Sequence, residues 1–216
     1  MVFIGFIAEK ESGKTTTFNF VKAYFPGATE IMLAQHLKEV CAKVTGLELF
    51  CFEDNSEKKK LLPKPIKLTR EMIEDVFRLF ELNPGEEAVE KHVGKELETT
   101  RRVLQYIGTD ILRDVEDNIH LRWSMRRTKP AEIYVITDIR FQNEFAFFEK
   151  YPNFIPFYID RSKSTAAGVG ESHASESGIQ NLRKLCLSEI DNNGDLDHLK
   201  DQIATKIVAM TKAILR

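Results

Sequence analysis

The sequence predicts an α/β protein in which helices cover both faces of a parallel sheet of about five strands, giving three layers. Two observations predict this fold class. Nearly continuous apolar runs recur at Val2–Ala8, Ile133–Ile139 and Phe154–Arg161, the pattern of parallel strands that are buried on both faces. Segments with apolar residues at helical spacing separate these runs, as expected where helices connect parallel strands.

The composition excludes several classes of protein. The chain has 216 residues, of which 43% are hydrophobic, and this suits one compact domain with a modest insertion. The formal net charge is -2, so a nucleic-acid-coating surface is not expected. No apolar run approaches the ~18 residues of a membrane-spanning helix, and the N-terminus lacks a signal-peptide pattern. The three cysteines form no CxxC pair, which favours reduced thiols in a cytoplasmic protein.

The first half of the predicted domain begins with strand, loop and helix. The strand is Val2–Ala8, and the helix runs from Lys14 to Tyr24, where Pro26-Gly27 stops it. A second short strand is predicted near Glu30–Leu33. The segment AQHLKEVCAKVTG then predicts a helix that ends at Gly46.

The middle of the chain changes character. Residues 47–100 contain a lysine run, two prolines and the amphipathic stretch REMIEDVFRLFEL, and we interpret them as a helical, partly mobile insertion rather than sheet. The lysine run, Lys58–Lys60, is typical of a solvated face. The segment RRVLQYIGTDILRDV, from Arg101, is helical by its pattern. We place the whole insertion at about 47–130 within a single domain.

The last part of the chain is predicted to hold one more strand, a loop and two helices. We interpret Phe154–Arg161 as the last strand. The glycine- and serine-rich stretch Ser162–Gly178 is predicted to be a loop or a lid. Two helices, separated by a turn at Asp191–Gly194, are predicted to complete the chain.

The strongest motif lies between the first strand and the first helix. Residues 8–15 read AEKESGKT, which matches the phosphate-binding loop pattern GxxxxGK[ST] except that Ala8 replaces its first glycine. Successive backbone N–H groups of such a loop form a cradle for phosphate oxygens, and Gly13 lets the backbone approach them. Lys14 would reach the β- and γ-phosphates, and the Thr15 hydroxyl would ligate Mg²⁺. The alternative is a helix start that Ser12 caps. The predicted nucleotide-binding residues of the loop are Glu11, Ser12, Gly13, Lys14, Thr15 and Thr16.

Charged residues elsewhere predict transfer chemistry. Lys10, within the loop, either adds positive charge beside the transferred phosphoryl group or faces solvent. Arg140 follows Asp138 at the carboxyl end of a buried strand, where open α/β sheets bind ligands, and an arginine fork matches phosphate oxygens. Asp138 either holds the metal shell through water, orients an arginine or caps the next helix. Arg161, before the glycine-rich stretch, is placed as a lid hinge would be. Other candidates for the second anion site are Arg101, Arg102 and Arg113.

Several longer segments resemble one family. TRRVLQYIGTDILR, TDIRFQNE, ESHASES and IDNNGDLDHL, together with AEKESGKT, are similar to the bacteriophage deoxynucleoside monophosphate kinases. The resemblance runs from residue 2 to about 205 and is weakest at 47–100. It implies an adenylate-kinase-like fold, a helical acceptor-binding insertion, ATP and Mg²⁺ as cofactors, a deoxynucleoside monophosphate (dNMP) as acceptor and, for a phage-encoded protein, the host cytoplasm as location.

The resemblance also implies residue roles. Lys10, Lys14 and Thr15 match the donor loop, Arg161 falls in the lid, and Asn193 falls in a loop that packs near the donor adenine in related kinases. Family members often have Asp-Thr after the loop lysine whereas this chain has Thr15-Thr16, so which threonine faces the metal stays open, although spacing favours Thr15. The residues that fall in acceptor-side motifs are Ala34, Lys38, Arg102, Gln105, Arg113, Asp138, Arg140 and Asn143.

Two alternative functions remain open from the sequence. One is another small-molecule P-loop kinase, of the dephospho-coenzyme A or phosphomevalonate kinase type. The other is a nucleotide-switched binding module, although the arginine-rich second site favours a kinase. Base preference, ribose or deoxyribose preference and oligomeric state, a homodimer included, are not readable. Three aromatic residues are candidates for stacking on the acceptor base, but they could instead pack in the core: Tyr106, Trp123 and Phe141. Three residues of the predicted lid could contact phosphate, but they could equally cap the loop: His173, Ser175 and Glu176.

Overall fold

The computed structural model describes residues 1–9, 11–162 and 178–216 of the chain. These residues form two compact units, one of Met1–Leu33 with Arg127–Arg216 and the other of Ala34–Arg126. Lys10, most of the predicted lid at about 161–178, and with it His173, Ser175 and Glu176, lie outside the described residues. None of the helices in the described ranges is both long and apolar enough to span a membrane. The single domain with an insertion at about 47–130 stays a prediction.

Seven strands and eleven α-helices are described, numbered along the chain. The strands are β1 (Val2–Ile7), β2 (Thr29–Ile31), β3 (Ile66–Lys67), β4 (Glu96–Leu97), β5 (Ile133–Ile139), β6 (Phe154–Asp160) and β7 (Ser188–Asp191). The helices are α1 (Lys14–Tyr24), α2 (Gln35–Thr45), α3 (Phe50–Glu53), α4 (Arg70–Leu79), α5 (Glu86–Glu90), α6 (Thr100–Gln105), α7 (Ile119–Arg127), α8 (Gln142–Glu149), α9 (Ile179–Arg183), α10 (Leu196–Gln202) and α11 (Ala209–Leu215). Two π-helical segments, Tyr106–Arg113 and Ile203–Val208, directly follow α6 and α10.

The first unit is the predicted three-layer structure. Its five strands are all parallel and lie in the order β2-β5-β1-β6-β7. Because side chains alternate along a strand, β1 serves two cores. Ile4 and its even-numbered neighbours pack with residues of α1 and of the C-terminal helices, such as Val21 and Ile203. Phe3 points to the opposite face, where its ring lies 5.7 Å from that of Phe148 on α8. The α/β fold class is therefore confirmed.

The sequence interpretation missed one strand of this sheet. Phe154–Arg161 is not the last strand, because β7 follows it and pairs in parallel with β6, with Asp160 opposite Asp191. β7 has four residues, of which Ile190 alone is fully buried. A strand this short at the edge of the sheet has no continuous apolar run, so the pattern that revealed β1, β5 and β6 is missing.

The second unit is mainly helical around its own core. This core joins side chains of α2, α4, α6 and the π-helical segment, among them Val40, Phe77 and Ile107. The helix predicted to end at Gly46 is confirmed, and Gly46 has a left-handed backbone there. The prediction of no sheet in 47–100 is wrong in one detail, because β3 and β4 form an antiparallel pair. Two residues per strand are too few to show an alternating pattern.

A buried histidine lies between α7 and the π-helical segment of the second unit. His120 is 6% exposed, and its Nε2 lies 3.1 Å from the carbonyl oxygen of Gly108. Its Nδ1 is buried without a hydrogen-bond partner in the part of the chain that the structure describes. Burial and, to a smaller extent, the nearby positive charge of Arg113 lower the pKa of His120 to about 4. His120 is therefore neutral near pH 7.

This histidine predicts a pH-dependent stability. Between the ordinary pKa of about 6.5 in the unfolded chain and the lowered pKa in the folded chain, the unfolded state binds more protons. The folded state therefore loses stability as pH falls through this window, by about 2 kcal/mol between pH 7 and pH 5. Urea unfolding at both pH values should show that His120→Gln, which does not titrate, loses less stability than the wild type. Equal losses of unfolding free energy in the wild type and in His120→Gln would contradict the lowered pKa of His120.

Candidate active site

The candidate site residues of the first unit follow strands that end at one edge of the sheet. Ile7 of β1 pairs with both Ile139 of β5 and Tyr158 of β6. The strands are parallel, so the loops that follow them lie side by side at their carboxyl ends, which is where open α/β sheets bind ligands. These strand ends and the loops that follow carry the described residues of the phosphate-loop motif, Asp138 near the end of β5, Arg140, Arg161, and Asn192 with Asn193.

Two residues of the phosphate-loop motif have a left-handed backbone. Gly13 lies in the left-handed region at φ 88°, and Glu11 also has a positive φ of 59°. The helix α1 begins at Lys14, and Gly13 occupies its N-cap position without a side-chain hydrogen bond. The alternative that Ser12 caps this helix is therefore wrong. The first N–H groups of a helix have no partner within it, so the start of α1 offers them to an anion.

Lys14 lies back against its own loop. Its Nζ donates to the carbonyl oxygen of Glu9 at 2.7 Å, and lies 3.5 Å from that of Ala8 and 3.4 Å from the Ser12 hydroxyl. The ammonium group is thus held at the mouth of the cradle by acceptors that a phosphate oxygen, carrying a full negative charge, can outcompete. The contact of Lys14 with the β- and γ-phosphates, which the sequence motif predicts, stays a prediction.

The threonines after the lysine differ in exposure. Thr15 is exposed and Thr16 is half-buried. Thr17 is buried, and its hydroxyl donates to the carbonyl oxygen of Gly13 at 3.0 Å, within the helix. Thr15 and Thr16 therefore remain the two candidates for a metal ligand, as in the sequence.

Arg161 contacts the phosphate loop. Its Nη1 donates to the carbonyl oxygen of Glu11 at 3.4 Å, so the residue after β6 reaches the loop after β1. A second link joins the loop to α9, where Gln180 Nε2 donates to the Glu9 carboxylate at 2.8 Å. Both links bring residues on either side of the predicted lid against the loop.

Asp138 is the second-last residue of β5 and Arg140 directly follows the strand, and the two have different surroundings. The Asp138 carboxylate accepts the backbone N–H of Leu33 at 2.8 Å, which ties β5 to the residues after β2. The backbone N–H groups of Arg140 and Phe141 donate to the carboxylate of buried Glu144, at 2.8 and 3.1 Å. The guanidinium of Arg140 forms no hydrogen bond or ion pair with any residue of the described ranges, so its backbone is fixed while its charge is available.

All but one of the other predicted acceptor-side residues lie in the second unit. Lys38 is on α2, Arg102 and Gln105 are on α6, and Arg113 ends the π-helical segment. The Arg113 side chain is 7% exposed, and its Nη1 donates to the carbonyl oxygen of Asp117 at 2.9 Å. The remaining members are Ala34, which accepts the N–H of Lys38 and precedes α2, and, in the first unit, Asn143 on α8.

A family model described as deoxynucleotide monophosphate kinase matches residues 56–203. The chain belongs to the deoxynucleotide monophosphate kinase family. It is therefore a phosphotransferase, and kinase chemistry implies the use of ATP. The resemblance noted from the sequence motifs is confirmed at the level of the family.

Individual relatives are more distant. A protein of Acanthamoeba polyphaga mimivirus, named as a candidate deoxynucleotide monophosphate kinase, is 28% identical over 221 residues, covering 94% of each chain. Among solved structures, TT1252 from Thermus thermophilus has a TM-score of 0.48 with 15% identity and covers 96% of both chains. A dephospho-CoA kinase from Campylobacter jejuni has a TM-score of 0.40 with 14% identity and covers 98% of both chains.

Two of the three aromatic residues that the sequence suggested for base stacking pack against other side chains of the kinase. The Trp123 ring stacks on His36 at 4.1 Å, and its Nε1 donates to the carbonyl oxygen of Phe80 at 3.2 Å. The Tyr106 hydroxyl oxygen lies 3.0 Å from Nδ1 of His92. These contacts hold both partly buried side chains against the core of the second unit, while Phe141 is half-buried just before α8.

One residue of the kinase that contacts the loop was missed from the sequence. Asn192 directly follows β7 and donates from its side-chain amide to the carbonyl oxygen of Ser12 at 2.7 Å. The sequence interpretation chose its neighbour Asn193, whose amide instead bonds to Asp191 at 2.7 Å and to the carbonyl oxygen of Asp160 at 3.3 Å. The available signal was the polar run DNNG after an apolar residue, and it does not distinguish the two asparagines.

Proposed function

We propose that this kinase transfers the γ-phosphate of ATP to a deoxynucleoside monophosphate, which yields ADP and the deoxynucleoside diphosphate. The observation that carries the proposal is the loop of residues 8–15, with its left-handed Gly13 and the Lys14 ammonium at its mouth. Membership of the family supports the nature of the acceptor. The roles of individual residues are part of the proposal.

The donor side fits a nucleotide triphosphate. The N–H groups at the start of α1 and the Lys14 charge would hold its β- and γ-phosphates, and Arg161 beside Glu11 would add charge near the transferred group. Mg²⁺, when bound, neutralises charge that develops on the phosphate oxygens. It usually keeps several waters and takes few protein ligands, so the hydroxyl of Thr15 or Thr16 is a sufficient protein contribution.

The acceptor side requires cations that are not consumed by the fold. Arg140 meets this requirement in the first unit, because its guanidinium pairs with nothing in the described ranges while Glu144 holds its backbone. Arg113 in the second unit is different, because its guanidinium is buried and already pairs with Asp117; its acceptor role rests on the resemblance to the family. We propose that Arg140 binds the acceptor phosphate. The resemblance to the family also implies acceptor-binding roles for Arg113, Lys38, Arg102, Gln105 and Asn143, and these roles stay predictions.

An acceptor panel tests the proposal. The kinase is incubated with ATP and Mg²⁺ and with each natural dNMP, each matching ribonucleotide, dephospho-coenzyme A or phosphomevalonate, and ADP formation is measured. We expect ADP to form with at least one dNMP and far more slowly without acceptor. Turnover with dephospho-coenzyme A or phosphomevalonate alone would overturn the acceptor class, and equal turnover with no acceptor would point to a nucleotide-switched module. A sample of Lys14→Ala, prepared in the same way, measures the ADP that contaminating kinases form.

Several properties named from the sequence stay predictions. These are a cytoplasmic location, the absence of nucleic acid partners and a homodimer as the oligomeric state.

A further inference from the structure

Asn192 lies where the ends of three strands meet the phosphate loop. Its side chain is 7% exposed, and its backbone N–H donates to the carbonyl oxygen of Asp160 at the end of β6 at 2.7 Å. Its side-chain Nδ2 donates to the carbonyl oxygen of Ser12 at 2.7 Å. One short residue thus joins the ends of β6 and β7 to the loop that follows β1.

The same amide explains why position 13 must be glycine. A Cβ atom built on Gly13 would lie 2.3 Å from Asn192 Nδ2, a distance that no side chain can adopt without displacing the amide. Gly13 also has a φ of 88°, which disfavours any residue with a side chain. The Asn192 amide therefore occupies the space beside Gly13, on the side opposite to its N–H group.

The direction of that N–H group follows from the planarity of the peptide bond. In a trans peptide the C=O of one residue and the N–H of the next point in opposite directions. The Ser12 carbonyl points to Asn192, so the Gly13 N–H points away from Asn192. Without the amide, the Ser12–Gly13 peptide would be free to rotate as a unit, because Gly13 tolerates both signs of φ.

We infer that Asn192 is a positioning residue for ATP binding, which sets the orientation of the Ser12–Gly13 peptide so that the Gly13 N–H faces the donor phosphates. This inference rests on the proposed function in one respect only, that residues 8–15 bind ATP. Asn192 does not touch the reacting atoms, and it acts through the loop.

Replacement of Asn192 tests the inference. In Asn192→Ala and Asn192→Ser, the Kd for ATP is expected to rise about 10- to 100-fold, because the Ser12 carbonyl loses its partner and the loop its fixed orientation. The KM for the acceptor should change less than about threefold. The matched control is Asn153→Ala, since Asn153 Nδ2 donates to the carbonyl oxygen of Met1, at the other end of β1. This control should leave the Kd for ATP unchanged.

Two further measurements separate positioning from general stabilisation. In the wild type, the side-chain amide protons of Asn192 should exchange slowly with and without ATP, and rapid exchange in both would overturn the inference without any variant. In a double-mutant cycle, Asn192→Ala should cost less in thermal stability when Gly13 is already alanine, because the close contact is then relieved. Strict additivity would contradict the contact.

The outcomes separate this inference from the proposed function. If the wild type does not bind ATP, the proposed function fails. If the wild type binds ATP and both Asn192 variants bind it with unchanged Kd, or if ATP and acceptor binding weaken equally, the positioning role is wrong.

Discussion

Lys14→Ala is expected to lower kcat for phosphoryl transfer by at least about 10²- to 10³-fold while leaving the fold intact. Removing one preorganised group that stabilises developing charge has effects of this size, and Lys14 supplies a full positive charge at the mouth of the loop. Its ammonium group contacts oxygen atoms of Ala8, Glu9 and Ser12 in the loop itself, so we expect the core to persist without it. The measurement is kcat with a dNMP acceptor, together with thermal unfolding.

Lys22→Ala is the matched control for this prediction. Lys22 lies on the same helix α1 and is exposed, with its ammonium 5.7 Å from the ring of Phe18. Its replacement should leave kcat within about twofold. Near-normal kcat in Lys14→Ala with every acceptor of the panel would exclude residues 8–15 as the donor loop.

Arg140→Ala and Arg113→Ala are expected to weaken acceptor binding much more than ATP binding. Loss of a charge-assisted contact to a buried phosphate should cost on the order of 2–5 kcal/mol. Arg113 also donates to the carbonyl oxygen of Asp117, so its replacement should lower thermal stability as well, whereas Arg140→Ala should not. The measurements are the KM for the acceptor, the Kd for ATP and the unfolding temperature of each variant.

The control for both arginines is Arg70→Ala. Arg70 is exposed in the second unit and pairs with Glu74, Glu86 and Glu90, and exposed pairs of this kind contribute little. It should change neither acceptor nor ATP binding. If Arg140→Ala and Arg113→Ala weaken ATP and acceptor equally, both arginines are structural.

The elements that could be predicted are those with a local signal strong enough to stand alone. β1, β5 and β6 are apolar over six or seven residues, and α1 and α4 have regular apolar spacing. β7, with one fully buried residue, and the two-residue strands β3 and β4 lack such a signal, because partners distant in sequence stabilise them. The π-helical continuation of α6 was likewise not predicted, since its apolar spacing resembles that of an ordinary helix.

The phosphate loop could be predicted because its parts are contiguous. Eight successive residues supply the glycine, the lysine and the threonines, and the adjoining strand and helix are local as well. The Mg²⁺ ligand stays open between Thr15 and Thr16, because both hydroxyls lie on the first turn of α1 and differ only in exposure.

By itself the sequence determined the α/β class, the position of a phosphate-loop motif and the resemblance to a kinase family, because each depends on neighbouring residues. Only the tertiary structure shows that Asn192 donates to the carbonyl oxygen of Ser12 in the loop. The two asparagines are adjacent and chemically identical, and the pairing of Asp160 with Asp191 sets which of them turns toward Ser12, 180 positions earlier in the chain. The physical reason is that a strand alternates its side chains, so the register of a pairing chooses the residue that makes contact.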